Sequence, residues 1–279
     1  MPNKSGTSYY VTDEDCETAF SQCKSCKFIT ENRTYKSIVE STYLSIRDTD
    51  DINAACATLT DSVRNYLNQT YPVVDWNEYT HILYIYTGML RWVNMLAHVC
   101  EYIDRTRKMG EAKKMLAWAT DRLTMCEAGS DFVQRFLDEF AIQCDGRREE
   151  IVRMYAIAIL VGLIGHELGH ACLGHVHQST QNSISRNNER CADMFASSVA
   201  QSIGNGYAGA IGAVVLDVSF VWMTGKHCGY TNVTKNSGNK FMSHPVSPDR
   251  VKAFIESFNT VLETAPITAK MLMKLMKVG

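Results

Sequence analysis

The pattern of apolar and polar positions along the chain predicts a mainly helical protein. Apolar residues recur at helical spacing in four segments, and Asp or Gly residues stand near the starts of these segments: 52–66, 88–107, 110–125 and 132–144. Strand-like patterns are confined to residues 80–86 and to a stretch near 230–233. The pattern therefore predicts a mainly α fold (α+β) that contains a small β-sheet.

The most apolar segment of the chain covers residues 154–165 and contains no charged side chain. It is much shorter than the ~18 apolar residues that a membrane-spanning helix needs, so we expect a buried core helix. Gly162, Gly165 and Gly169 recur along one side of this helix and would let another helix or a substrate strand approach closely. Gly174 supplies a natural helix end.

The last turns of this predicted helix carry His166, Glu167 and His170 in the order HELGH. Two imidazoles four residues apart on a helix face the same side, so they can bind one metal ion. Zinc hydrolases use this arrangement: neutral His nitrogens hold Zn²⁺, the ion acidifies a water molecule, and the adjacent carboxylate takes its proton. The motif predicts His166 and His170 as zinc ligands and Glu167 as the catalytic base.

The residues directly after the motif do not supply a convincing third ligand. A metzincin would continue as HExxHxxGxxH, but Leu173 and Val176 stand where that pattern needs Gly and His. His175 and His177 lie beyond the predicted helix end. We therefore expect both to be loop or surface histidines rather than ligands.

The stronger candidate for the third ligand lies further along the chain. Residues 187–193 read NNERCAD and open a new helical pattern, with an Asn available as N-cap. Glu189 and Asp193 share one face of that helix. Glu189 can complete a His₂Glu zinc site, and Asp193 can accept the free N–H of a ligating imidazole. The alternative is a solvated Glu next to a capping Asn.

A third segment, SHPVSPDR at residues 243–250, could complete the site. Ser247 followed by Pro248 is typical of a helix start. His244 precedes a proline, which favours an extended backbone and lets its ring reach into a cleft. There His244 could stabilise the oxyanion of a tetrahedral intermediate, and Arg250 could anchor the loop or bind a substrate carbonyl. The alternative for His244 is an ordinary turn residue.

HELGH, the ExxAD pattern of residues 189–193 and the Ser-His-Pro with Arg250 six residues after His244 together resemble the gluzincin zinc metallopeptidases of the HtpX and CAAX-processing type. The likeness is closest to the Lit phage-exclusion peptidase group and covers residues 76–260. It implies a helical zincin-like metallopeptidase domain. It also implies Zn²⁺ as cofactor, held by two His and the Glu of ExxAD, with the Glu of HExxH as base.

The resemblance implies a zinc-dependent endopeptidase that hydrolyses an intracellular protein by means of a Glu-activated water. Phage exclusion is the biological role known from the Lit group, and elongation factor Tu is the family substrate. No residue of the motif specifies that substrate. Two other functions stay open: a catalytically inactive, zinc-stabilised binding protein, and a membrane-docked processing peptidase.

Length and composition predict the domain organisation. The chain has 279 residues, of which 46% are hydrophobic, enough for a substantial core. We expect a loose N-terminal segment at 1–35, an N-terminal helical region at 36–75 and a gluzincin-like metallopeptidase domain at 76–279. The formal net charge of -2 and the absence of a long basic block argue against nucleic acid as partner and leave a protein or peptide substrate.

The sequence favours a cytoplasmic protein, because the polar N-terminal stretch lacks a signal peptide. Two segments could contact a membrane. Residues 207–223 are apolar but include Asp217, and residues 269–277 form an amphipathic pattern with three Lys opposite Met and Leu. We expect both to pack on the core, with peripheral association at the inner membrane as the alternative.

Ten cysteines are present, and without a signal peptide reduced thiols are expected. Cys16, Cys23 and Cys26 form the densest group, but they lack an adjacent fourth ligand. We expect free thiols here, and a structural zinc site with a more distant ligand is the alternative.

Overall fold

A computed structural model describes residues 10–47, 74–77, 79–124, 129–143, 146–175 and 182–204. The helices are α1 (Asp13–Ser25), α2 (Lys27–Thr30), α3 (Arg33–Glu40), α4 (Thr87–Thr106), α5 (Met109–Thr124), α6 (Phe132–Glu139), α7 (Gly146–Cys172) and α8 (Asn182–Ser202). The strands are β1 (Tyr43–Arg47), β2 (Val74–Asn77) and β3 (Ile82–Tyr86). The predicted mainly α fold with a small β-sheet is confirmed for this part of the chain.

Helix α7 forms the centre of the described core. Helices α1, α3, α4 and α8 and strand β2 all pack against it. From Ala158 to Cys172 every residue of α7 is buried. A helix that is apolar on all sides is stable in water only when neighbouring elements cover it, and these five elements provide that cover. The predicted buried helix that ends near Gly174 is confirmed.

Helix α7 is also the one helix within the described residues that is long and apolar enough to cross a membrane. Most of its most apolar window, 78%, is buried inside the protein. Core helices of soluble proteins share these properties, so the length and composition of α7 are compatible with both a soluble and a membrane-associated protein.

The N-terminal residues differ from the loose segment expected at 1–35. Residues 13–40 form α1, α2 and α3, and α1 begins with a capping box in which the side chains of Thr12 and Asp15 each accept a hydrogen bond from the other's backbone N–H. Asp15 also accepts a 2.7 Å hydrogen bond from Nε of Arg153 on α7. The apolar face of α1 consists largely of Cys and Ala. Because these small side chains stand among many polar ones, the segment has the composition of a polar, loosely packed stretch.

Cys16, Cys23 and Cys26 lie on this N-terminal unit as buried free thiols, as expected. Burial raises the pKa of Cys16 to about 12, with nearby carboxylates adding to the effect, and burial also raises the pKa values of Cys23 and Cys26. Such thiols stay protonated and act as small apolar side chains. Within the described residues, they do not belong to a metal-binding group.

The three strands form one sheet in the order β1-β3-β2. β3 pairs with β1 in parallel and with β2 in antiparallel orientation. Leu83 and Ile85 alternate with half-buried residues, so β3 turns one face to the core. The strand expected at 80–86 is confirmed with a later start, at Ile82. Strand β1 lies in the region 36–75, which was expected to be helical. It pairs with β3, which lies beyond residue 75, so one sheet contains residues from both sides of the expected domain boundary.

Three further predicted helices lie in the described part of the chain. The helices expected at 88–107 and 110–125 are confirmed as α4 and α5, and the helix expected at 132–144 is confirmed as the shorter α6. Four segments lie outside the described residues, namely those at 52–66, 207–223, 230–233 and 269–277.

Candidate metal centre

Two glycines on α7 let α8 approach its backbone closely. A Cβ placed on Gly169 would lie 3.0 Å from both the Cα of Ala192 and the Cβ of Phe195. A Cβ on Gly165 would lie 3.2 Å from the Cα of Ala196. Real Cβ atoms are seldom accommodated at such distances, so glycine at these positions fixes how near the two helices lie. This is the close helix approach that the glycine stripe predicted.

The N-terminal helices also pack against α8. The ring of Phe195 packs edge-on against Phe28 and Tyr35, with centroids 5.0 and 5.2 Å apart. The backbone N–H of Phe28 donates to Oγ of Ser202 near the end of α8. The N-terminal helices therefore contact both α8 and α7.

The close approach brings His166 and His170 of α7 to Glu189 of α8. The Nε2 atoms of the two imidazoles lie 3.1 Å apart. Nε2 of His166 is 3.3 Å from Oε2 of Glu189, and Nε2 of His170 is 3.6 Å from Oε1 of Glu189. All three residues are buried. Among the described residues, they are the group whose side chains could hold a metal ion.

The donor set fits a zinc ion in chemistry and in spacing. Zinc binds imidazole nitrogen and carboxylate oxygen at about 2.0–2.2 Å, which for a tetrahedral site separates the donor atoms by roughly 3.3–3.6 Å. Of the observed separations, 3.3 and 3.6 Å match that spacing and 3.1 Å is slightly shorter. Two His and one Glu leave a fourth position of the tetrahedron available for water or substrate.

Asp193 forms a hydrogen bond with Nδ1 of His166, the ring nitrogen that faces away from Glu189. Its Oδ1 lies 2.9 Å from Nδ1 of His166, so the Nδ1–H donates to the carboxylate and Nε2 faces Glu189. Burial by itself lowers the pKa of His166, but the hydrogen bonds and charges of Asp193 and Glu189 outweigh it and raise the pKa to about 10. Two buried carboxylates thus favour a cation at this point, either a proton or a metal ion.

Nδ1 of His170 also has a hydrogen-bond partner, which the sequence pattern did not identify. Nδ1 of His175 lies 3.0 Å from Nδ1 of His170, and the rings meet edge to face at 5.1 Å between centroids. His175 is half-buried and directly follows Gly174. The sequence signal for this contact is the glycine that ends α7, because a helix ending of that type returns the chain over the last turn.

The other predicted site residues are placed as follows. Glu167 is buried next to His166, within the stretch of α7 that carries both histidines. Helix α8 begins at Asn182, so Asn187 lies inside the helix rather than at its N-cap. Its side chain is exposed, and its Nδ2 donates to Sγ of Cys191 one turn later. His244 and Arg250 lie outside the described residues.

Comparison with models of protein families, with curated proteins and with solved structures finds no match to this chain.

Proposed function

We propose that this protein is a zinc-dependent endopeptidase of the gluzincin type, with a zincin-like domain built around α7 and α8. The observation that carries the proposal is the convergence of His166, His170 and Glu189 at donor-atom distances of 3.1–3.6 Å in a buried site. The HELGH and ExxAD motifs add to it, since in the gluzincins that they resemble these positions hold zinc and the Glu of HExxH is the base.

His166, His170 and Glu189 would hold the ion, and Glu167 would act as general base. Zinc, when bound at such a site, acts as a Lewis acid that acidifies water and polarises a carbonyl. Glu167 takes a proton from a water molecule while the oxygen of that water attacks the carbonyl carbon of the scissile peptide. When the C–N bond breaks, Glu167 passes that proton to the leaving amine. His244 is the residue that we propose to donate a hydrogen bond to the oxyanion, with Arg250 anchoring its loop.

The resemblance to the Lit group makes an intracellular protein the proposed substrate and phage exclusion the proposed role. The buried position of the donor group supports hydrolysis, because a site shielded from bulk water strengthens the electrostatic effect of Glu167 and of the bound ion. A cytoplasmic location, with peripheral contact at the inner membrane as the alternative, is part of the same proposal.

The test compares the native chain with Glu167→Gln and with Glu150→Gln, which removes an exposed carboxylate from the first turns of the same helix. Each variant is purified for elemental analysis, and new protein N-termini are mapped by mass spectrometry in cells that express it. We expect about one zinc per chain in all three proteins. A fragment set should be common to the native chain and Glu150→Gln and absent from Glu167→Gln. Elongation factor Tu is the first protein to inspect among the fragments.

Two outcomes would overturn the proposal. If Glu167→Gln produced the same fragments as the native chain, Glu167 would not be the base. If the native chain bound one zinc but produced no fragments from native or denatured proteins, the zinc would serve a binding protein. Flotation of the native chain with lipid vesicles, lost on removing residues 269–279, would identify the membrane-docked alternative.

A further inference from the structure

We infer that His175 is a positioning residue for the metal site, which holds the ring of His170 through a hydrogen bond between their Nδ1 atoms. This inference rests on the proposed zinc site, but it concerns a residue to which neither the HExxH nor the ExxAD motif gives a role. His175 would do for His170 what Asp193 does for His166. Each proposed His ligand would then be oriented by a hydrogen bond at its Nδ1, from α8 for His166 and from the residues after α7 for His170.

The end of α7 delivers His175 to this place. The backbone N–H of His175 donates to the carbonyl of His170 at 3.0 Å, and the N–H of Gly174 donates to the carbonyl of Ala171 at 3.2 Å. These two bonds define a Schellman motif, which needs a left-handed residue after the helix. Gly174 supplies it with φ of +66°. The motif brings the residue after the glycine back over the last turn of the helix, and in this chain the two side chains that meet there are those of His175 and His170.

An apolar contact usually occupies this position in a Schellman motif. Here two imidazoles meet instead, with their Nδ1 atoms 3.0 Å apart. For Nε2 of His170 to bind a metal, the ring must carry its proton on Nδ1. That N–H can donate to Nδ1 of His175, provided that His175 carries its own proton on Nε2. The pair then needs no net charge, and the lone pair of His170 Nε2 is aimed at Glu189.

The same geometry argues against His175 as a zinc ligand. Nδ1 of His175 contacts the outer nitrogen of His170, whereas Nε2 of His170 faces Nε2 of His166 and the carboxylate of Glu189. The two nitrogens of one imidazole point in nearly opposite directions. His175 therefore lies on the opposite side of the His170 ring from the three donor atoms that would hold the ion.

The test measures zinc affinity of the full chain by competition with a chromophoric chelator, for the native protein, His175→Leu and His175→Asn. Leu keeps the apolar contact typical of a Schellman motif but cannot accept a hydrogen bond. Asn places an amide oxygen near the position of the imidazole Nδ1 and can accept it. Because partners of metal-bound His are typically worth 10–100-fold in metal affinity, we expect His175→Leu to bind zinc about 10–100-fold more weakly. His175→Asn should recover most of that loss.

Urea denaturation of the metal-free variants serves as the control, and both should unfold close to the native midpoint. Three results would overturn the inference: native zinc affinity in His175→Leu, equal weakness in His175→Asn and His175→Leu, or a changed ligand number in the visible spectrum of Co²⁺-loaded His175→Asn. Zinc affinity is measured without any substrate, so this test is independent of peptidase activity. A native chain that binds zinc and cleaves nothing would defeat the peptidase proposal and leave the inference about His175 standing.

Discussion

Asp193 lies 2.9 Å from Nδ1 of His166, and both side chains are buried between α7 and α8. The contact joins the helix that carries HELGH to the helix that carries Glu189. It fixes the tautomer of His166 when the ring is neutral, because a neutral ring that donates from Nδ1 presents the lone pair of Nε2 on its other side. One carboxylate thus orients an imidazole that could hold a metal ion, and it connects the two helices that form the site.

Replacing Asp193 by Asn should weaken zinc binding about tenfold, since Asn removes the negative charge while keeping the size of the side chain. Chelator competition at constant pH measures the change. Asp104→Asn, which alters a partly exposed carboxylate on α4, should bind zinc like the native chain. Native affinity in Asp193→Asn would show that the contact does not support the metal.

Replacing Gly169 by Ala should separate α7 from α8. The new Cβ would lie 3.0 Å from the backbone of Ala192, and overpacking of this kind typically costs about 1–3 kcal/mol, more than the roughly 1 kcal/mol that Ala gains in helix propensity. We expect a lower urea midpoint and weaker zinc binding. Gly110→Ala on α5 is the matched control, because no atom lies within 4 Å of its Cβ position and the variant should be at least as stable as the native chain. Equal midpoints for the two variants would contradict the close packing.

Replacing Asp15 by Ala tests whether the N-terminal helices belong to the core. The change removes the Asp15 half of the capping box at the start of α1 and the partner of Arg153, so we expect the free energy of unfolding to fall by roughly 1–3 kcal/mol. Trypsin should also cleave the N-terminal region sooner. Glu17→Ala removes an exposed carboxylate from the same helix and should change little. A loose N-terminal segment would instead make the two variants indistinguishable.

The stability of the metal-free protein should depend on the protonation of His166. Its pKa in the folded state is raised to about 10 from an ordinary 6.5, so the protonated ring stabilises the fold fully below about pH 6.5. That contribution is lost as the pH rises from 6.5 to 10. Urea denaturation in the presence of a chelator, at several pH values across this window, measures the slope. The slope should be smaller in His166→Gln, and identical slopes would refute the assignment.

Much of the helical framework follows from local pattern. The spacing of apolar residues identified α4 and α5 nearly to their ends, and Gly174 identified the end of α7, because these features depend on neighbours within a few turns. The packing of α1 was not predictable in this way. Its buried face is made mainly of Cys and Ala, whose contribution appears only when the facing surface of α7 is known. Strand β1 was missed because its partner β3 lies almost 40 residues away in the chain.

The sequence by itself determined that His166 and His170 share one helix face and that Glu189 and Asp193 share another, since four-residue spacing on a helix has that consequence. It could not determine the distance between the two faces. The tertiary structure decided this through the missing side chains of Gly165 and Gly169, which let α8 come close enough for Glu189 to reach both imidazoles. It also decided the place of His175, because a ring past the helix end contacts His170 only when Gly174 turns the backbone back over the last turn.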